Sequence, residues 1–305
     1  MEYKRYCTVC GKEKIYNSLD SFKANKDSLL CRSCARKIIQ KKNHPNKLEK
    51  LLEETAESYY WIGYLLADGH FSENYRVRFV QNNEDKISVE KFKNYIETET
   101  PIVYKNSKGI DSASISVMNV DVIKKLMEKF DIKSNKTYNP PAKSIFEKMD
   151  IDMLSYLFIG FVDGDGNIGN LHNRKDFHLR IKVHSSWFDI LDIFSKRIFG
   201  LKNHTKINNQ GYADFNIGDT QLLKQFKKKY VKNLNFEPLN RKWDVIDLNY
   251  ISRNEKAKVD FESVSCLYER GYNVKQICKE LNLKEGKVYK IICKIKENDE
   301  QFFNK

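Results

Sequence analysis

The chain has no long hydrophobic run. Its longest apolar stretches, Tyr59 to Ala67 and Leu154 to Val162, reach nine residues, well short of the roughly twenty needed to cross a bilayer. No transmembrane span is expected. It also has no apolar leader: Met1-Glu2-Tyr3-Lys4-Arg5-Tyr6 runs straight into Cys7, which argues against secretion. Apolar residues are nonetheless plentiful overall, at 41% hydrophobic and 12% aromatic, and that excludes a disordered chain. At 305 residues it exceeds one ordinary compact domain, so two or more units are expected.

An acidic surplus is missing as well. The 54 Lys and Arg outnumber the 41 Asp and Glu for a net charge of +13, a balance suited to a polyanionic partner. The surplus is uneven: +8 over residues 1–50, +2 over 51–251 and +3 over 252–305.

Three of the seven cysteines, Cys266, Cys278 and Cys293, lack paired spacing and are expected in a core. The other four are paired. Cys7-x2-Cys10 and Cys31-x2-Cys34 stand twenty residues apart, the spacing of two knuckles that close a tetrahedral Zn2+ site, with Gly11 suited to the tight turn. So few residues hold little core, so the metal would supply much of the folding energy. Its function would lie in the basic face of Lys4, Arg5, Lys12, Lys14, Arg32, Arg36, Lys37, Lys41 and Lys42. Residues 35–50 read as a linker or helix leading inward.

At the other end, Phe261 to Cys293 reads as three short helices, the first stopped by Gly271 and the second by Leu281-Asn282. This resembles a helix-turn-helix of the homeodomain-like or recombinase type. The resemblance implies a last helix that offers Lys284, Lys287, Tyr289 and Lys290 to the DNA major groove.

The middle of the chain is duplicated. Trp61-Ile-Gly-Tyr-Leu-Leu-Ala-Asp68-Gly69 recurs 97 residues later as Phe158-Ile-Gly-Phe-Val-Asp-Gly-Asp165-Gly166. After the first copy the pattern predicts a hairpin ending in Arg76–Gln81, a helix over 86–97, a hairpin of 102–105 with 112–117 and a helix over 120–130. After the second it predicts a strand over 179–185, a helix over 187–199, a hairpin of 205–208 with 212–217 and a helix over 221–231. The unit is αββαββα, twice.

On these residues the chain resembles a single-chain, two-motif LAGLIDADG homing endonuclease over roughly residues 51–250. The expected fold is α+β, with two pseudo-symmetric halves forming a β-saddle. The expected division is 1–45 zinc module, 46–150 first half, 151–252 second half and 253–305 helix-turn-helix. Leu66 departs from the family motif, whereas Asp163 keeps its first acid. The family's catalysis rests on the second acid, here Asp68 and Asp165.

The residues support this pairing independently. Gly63 and Gly160 in mid-helix cost about 1 kcal/mol each against alanine, which close packing of the two helices would justify. Asp68 and Asp165 would then meet at two helix C-termini, where a carboxylate needs a cation. Mg2+ is expected there, with the Ala67 and Gly164 carbonyls as further ligands. Strand alternation points Arg76, Arg78, Arg180 and Lys182 toward DNA. Gln81 resembles the family's water-positioning residue, with Ser185 as its counterpart. Lys133 or Lys136, and Lys242 in the second half, resemble the family's phosphate-contacting lysine.

The resemblance implies metal-dependent cleavage of double-stranded DNA at a long site, one strand per half across the minor groove, leaving short 3′ overhangs. It implies a monomer from an intron or mobile element, acting in the cytoplasm of a bacterial or phage-infected cell or in an organelle, without a membrane partner. Two alternatives stay open: a transcription regulator on the same scaffold, and an RNA maturase whose partner is intron RNA. An intein is not expected, because residues 1 and 2 offer no nucleophile and the chain ends Phe303-Asn304-Lys305.

Overall fold

The computed structural model describes residues 3–24, 29–35, 45–107, 109–170 and 176–303. At the N-terminus Tyr3–Tyr6 (β1) and Glu13–Tyr16 (β2) form an antiparallel hairpin, followed by a helix at Leu19–Ala24. Gly11 takes the left-handed φ of +68° just after the first cysteine pair, a conformation that costs glycine little. Phe22 packs on Tyr3 and Tyr16, and Arg5 lies over its ring at 4.1 Å.

Two helices lie at the centre of the larger unit, because neither has a face polar enough for water. The first motif helix, Ala56–Asp68, starts where the Thr55 hydroxyl accepts from the Ser58 amide at 3.2 Å. The second, Ile151–Asp165, starts where the Asp150 carboxylate accepts from the Asp152 and Met153 amides. Every residue from Ser58 to Leu66 is buried. A Cβ on Gly63 would stand 1.8 Å from the Leu157 carbonyl oxygen, and one on Gly160 would stand 1.9 Å from that of Tyr60. Only glycine permits this backbone-to-backbone contact.

Each motif helix passes directly into a strand at Gly69 or Gly166. In the first half Gly69–Ser72 (β3), Arg76–Asn82 (β4), Val103–Ser107 (β5) and Ile110–Met118 (β6) form an antiparallel sheet in the order β3-β4-β6-β5. In the second, Gly166–Asn170 (β7), Phe177–His184 (β8), Thr205–Ile207 (β9) and Tyr212–Ile217 (β10) repeat it as β7-β8-β10-β9. The register repeats too: Gly69 faces Phe79, and Gly166 faces Ile181.

Helices Lys86–Tyr95 and Val120–Lys129 cover one face of the first sheet with Val89, Phe92, Ile123 and Leu126. Phe188–Ile193 and Thr220–Lys229 do the same for the second. The helix expected over 187–199 widens to π-helical geometry at Phe194–Ile198. That turn keeps Phe194 against Phe146, Phe158 and Phe161, while Arg197 reaches back to the Phe146 and Met149 carbonyls. One continuous core from Leu48 to Ile246 runs through both halves, so they are parts of a single folding unit. Short helices at Lys143–Lys148 and Asn240–Trp243, absent from the sequence expectation, lie in the connections that follow each half's last long helix.

The C-terminal unit is three helices, Arg253–Glu269, Val274–Leu281 and Glu285–Phe303, around its own core of Val264, Ile277, Val288, Ile291, Ile292 and Ile295. Ser252 with Glu255 and Asn273 with Gln276 form capping boxes at the first two, and Asn282 ends the second in the left-handed conformation. Of the three unpaired cysteines expected in a core, Cys278 is half-buried against the core of this unit and Cys293 is half-buried. Cys266 needs correcting: it is exposed, because the first helix packs inward through Phe261, Val264, Leu267 and Tyr268.

Candidate active site

The motif helices touch along their length and at their ends. A Cβ added to Gly164 would stand 2.2 Å from the Ala67 Cβ and 3.2 Å from the Asp68 Oδ2. Asp68 is thereby set against the last turn of the opposite helix, one residue from Asp165.

Gln81 is buried at the end of β4 and donates through Nε2 to the Asp68 Oδ2 at 2.8 Å. Burial raises the Asp68 pKa, and the Gln81 hydrogen bond opposes that rise, as do Lys242 and Lys136. Asp165 accepts no hydrogen bond from any described side chain. Its side chain keeps solvent exposure, yet desolvation by the neighbouring protein, and then the Asp68 charge, push its pKa up to about 6, with Lys136 and Lys242 opposing the rise.

Two buried lysines close the site. Lys136 Nζ donates to the Ala67 carbonyl at 2.7 Å, and Lys242 Nζ donates to the carbonyls of Val162, Asp163 and Gly164 at 2.9, 2.6 and 3.1 Å. Ammonium groups at helix C-termini complement the negative end of the dipole. Burial lowers both lysine pKa values while the aspartates oppose it. The carbonyls of Ala67 and Gly164, expected as metal ligands, thus each have one lone pair engaged by an ammonium.

Each lysine is held by the opposite half of the molecule. The Lys136 carbonyl accepts from Trp187 Nε1 at 3.1 Å, and the next carbonyl, of Thr137, accepts from the Ser186 hydroxyl at 2.8 Å. Arg241, adjacent to Lys242, grips Asp85 of the first half with Nε at 2.6 Å and with a second contact from Nη2. The third element of this clamp is Asp163. Its buried carboxylate accepts from Tyr60 Oη at 2.7 Å, the Leu239 amide at 2.8 Å and Trp243 Nε1 at 2.8 Å. The sequence marks Asp163 as the retained first acid of the motif, but only the fold reveals that it fastens the segment carrying Lys242.

Of the two lysines expected near the first acid, Lys136 reaches the site. Lys133 stays at the surface, 3.5 Å from Asp131. The expected counterpart of Gln81 also needs correcting. With Gly69 opposite Phe79 and Gly166 opposite Ile181, the residue equivalent to Gln81 is Val183, and each lies across from a buried alanine, Ala113 or Ala213. Ser185 lies beyond the end of β8. The sequence alone could not fix this, because the register of β8 depends on how many residues the preceding turn takes up.

On the open faces of the sheets Arg76 and Arg78 are exposed, as are Arg180 and Lys182. In the second sheet both cations have neighbours: Arg180 Nε donates to Asp214 at 2.8 Å, and Lys182 lies 4.7 Å from the Tyr212 ring. In the C-terminal unit Lys284, Tyr289 and Lys290 are exposed, whereas Lys287 pairs with Asp260.

The four paired cysteines converge, with all their sulfurs within 4.8 Å of one another. Four thiols that close cannot all ionise: a hydrogen bond from the Cys31 backbone is the largest influence lowering Cys7 to about 6, while hydrogen bonds to Cys10 and Cys31 push Cys34 up to about 12. A soft tetrahedral sulfur set of this kind suits Zn2+. Lys4 pairs with Glu13, and Lys14 donates to the Leu30 carbonyl. Arg36, Lys37, Lys41 and Lys42 lie outside the described residues.

No protein-family model and no curated protein matches the chain. Among solved structures it is similar to the LAGLIDADG meganuclease I-CpaMI bound to uncleaved DNA, at 10% identity over 72% of this chain and 93% of that one, with a TM-score of 0.40. It is similar to the LAGLIDADG homing endonuclease I-GzeII in complex with its DNA target, at 17% identity over 79% and 97%, with a TM-score of 0.37. It is also similar to the I-SmaMI LAGLIDADG homing endonuclease bound to cleaved DNA, at 10% identity over 69% and 90%, with a TM-score of 0.41. A likeness of this degree fixes neither substrate nor chemistry, which rest on the residues themselves.

Proposed function

We propose that the chain is a site-specific, double-strand DNA endonuclease of the LAGLIDADG homing type. The observation that carries this reading is the meeting of Asp68 and Asp165 at two touching helix C-termini, between two matching sheets that each present basic side chains. An ion-free carboxylate pair in this setting is poorly compensated, and its hard oxygen donors, with the adjoining carbonyls, suit Mg2+. When bound, Mg2+ would activate water and stabilise the leaving oxygen.

The chain's own groups do the rest. Asp68 and Asp165 supply the negative charge that retains the cation. Gln81 holds one Asp68 oxygen through its Nε2, which leaves its Oε1 to accept from a water beside the scissile phosphate. Lys136 and Lys242 are held on the carbonyls of Ala67 and Gly164, the residues just before the acids, where a phosphate oxygen is a stronger acceptor for their ammonium groups than a carbonyl. In each strand water adds to phosphorus, one bridging P–O bond breaks, and the departing sugar oxygen takes a proton.

Arg76, Arg78, Arg180 and Lys182 would follow the duplex along the saddle. The four-cysteine module, loaded with Zn2+, and a C-terminal helix-turn-helix presenting Lys284, Tyr289 and Lys290 would extend the contact; Lys287 joins them by leaving Asp260. The test is incubation of the purified chain and Mg2+ with a randomised plasmid library, followed by sequencing of the cut ends. Recurrent double-strand ends at one long sequence are expected. Sequence-specific binding without ends would favour a regulator, and binding confined to intron RNA a maturase.

A further inference from the structure

The two centres differ at one position, and the difference is chemical. Gln81 of β4 and Val183 of β8 hold equivalent places, two residues beyond the partner of the glycine that follows each acid. In the first centre a carboxamide fixes the carboxylate at 2.8 Å and keeps an acceptor oxygen for water. In the second a partly buried isopropyl group stands in its place, able neither to donate nor to accept, and no described side chain donates to Asp165. Asp163 does not substitute for the missing carboxamide, because its oxygens are taken by Tyr60, Leu239 and Trp243. Nor does Ser185, which lies past the end of β8 at His184 and outside the register that matches Gln81.

We propose that the two strands are cut in a fixed order, with the strand served by Gln81 hydrolysed first and a nicked duplex as the intermediate. Gln81 is a positioning residue in this scheme: it orients the Asp68 carboxylate and the attacking water, and Val183 leaves both unheld in the second centre. The chemistry on each strand is the same hydrolysis, one water consumed and one bridging P–O bond broken, so only the rates differ. Losing a hydrogen-bond partner that orients a metal-holding carboxylate costs about tenfold to a hundredfold in activity.

This inference rests on the endonuclease reading, and one experiment separates the two. A supercoiled plasmid carrying the cut site found by selection, and a linear duplex with a different dye on each strand, are treated with the wild type, Q81V, Q81A, V183Q and the swapped double variant. The wild type should accumulate open circles, with one dye-labelled strand cut ahead of the other. Q81V and Q81A should slow that same strand, V183Q should speed the other, and the double swap should reverse the order. A readout independent of cleavage accompanies it: in metal-free protein the Gln81 side-chain amide should give an exchange-protected NMR signal that D68N alters, and V183Q should add a second that D165N alters. Equal strand rates in the wild type, slowing by Q81V of the strand cut second, or an order unchanged by the swap would overturn the proposal. Failure of every form to cut either strand would instead overturn the endonuclease reading, and the order with it.

Discussion

At Asp165 the neighbouring protein and the Asp68 charge together disfavour the ionised acid. Its pKa and that of buried Asp163 are pushed up to about 6, against an ordinary 3.8. Between about pH 4 and pH 6 the folded chain keeps protons that the unfolded chain has released, so their contribution to stability is largest below that window and is lost as pH rises through it. D165N, which resembles the protonated acid, should therefore raise the melting temperature at pH 7.5 in EDTA, and the gain should shrink toward pH 4.5. Adding Mg2+ at pH 7.5 should stabilise the wild type more than D165N. Parallel stability-versus-pH curves for the two proteins would show that Asp165 is not under electrostatic stress.

The motif helices, at the next scale up, depend on two glycines that no side chain can replace. G160A must push the Tyr60 carbonyl away from a Cβ that would otherwise lie 1.9 Å from it, and overpacking of a central contact should cost about 3 kcal/mol or more. Denaturant unfolding measures this, and a loss below about 0.5 kcal/mol would mean that the helices do not meet there. These helices were readable in the sequence because a nine-residue repeat carries both the apolar pattern and its acid. So were the sheets, whose alternation puts Val77 and Phe79 inside and Arg76 and Arg78 outside. The contacts that place the lysines were not readable. Whether Lys133 or Lys136 enters the site depends on a loop pinned by Trp187 and Ser186, more than fifty residues and roughly fifty residues away in the chain. Whether Ser185 or Val183 matches Gln81 depends on strand register, which composition does not encode. Among the smaller elements, the cysteine knuckles were legible from spacing alone. C31S should release Zn2+ and unfold residues 7–34 while the core from Leu48 to Ile246 keeps its own packing. Elemental analysis that finds no zinc in the purified wild type would remove the metal from that module.

Across the whole molecule the charge and the chemistry are separated. The core unit carries a net charge of only +2 over residues 51–251, while the first 50 residues carry +8. Salt-sensitive DNA binding should therefore depend strongly on the N-terminal module, and removing residues 1–45 should weaken binding and flatten its dependence on salt concentration. Removing residues 255–305 should instead shorten the protected DNA at one end, as the proposed insertion of the last helix into a groove requires. The cut position should stay the same in both. Footprints and salt titrations on the three proteins read these outcomes, and identical slopes and footprints would assign the end units to some partner other than DNA.

Asp68 and Asp165 are proposed jointly to hold the ion on which cleavage would depend, and a comparison of the wild type with D68N and D165N on one cleavable duplex in Mg2+ tests this. Each substitution keeps the side chain's shape and removes its charge. Binding should persist in both variants, while double-strand cleavage should fall by about a hundredfold or more. Cleavage at the wild-type rate by either variant would contradict the account.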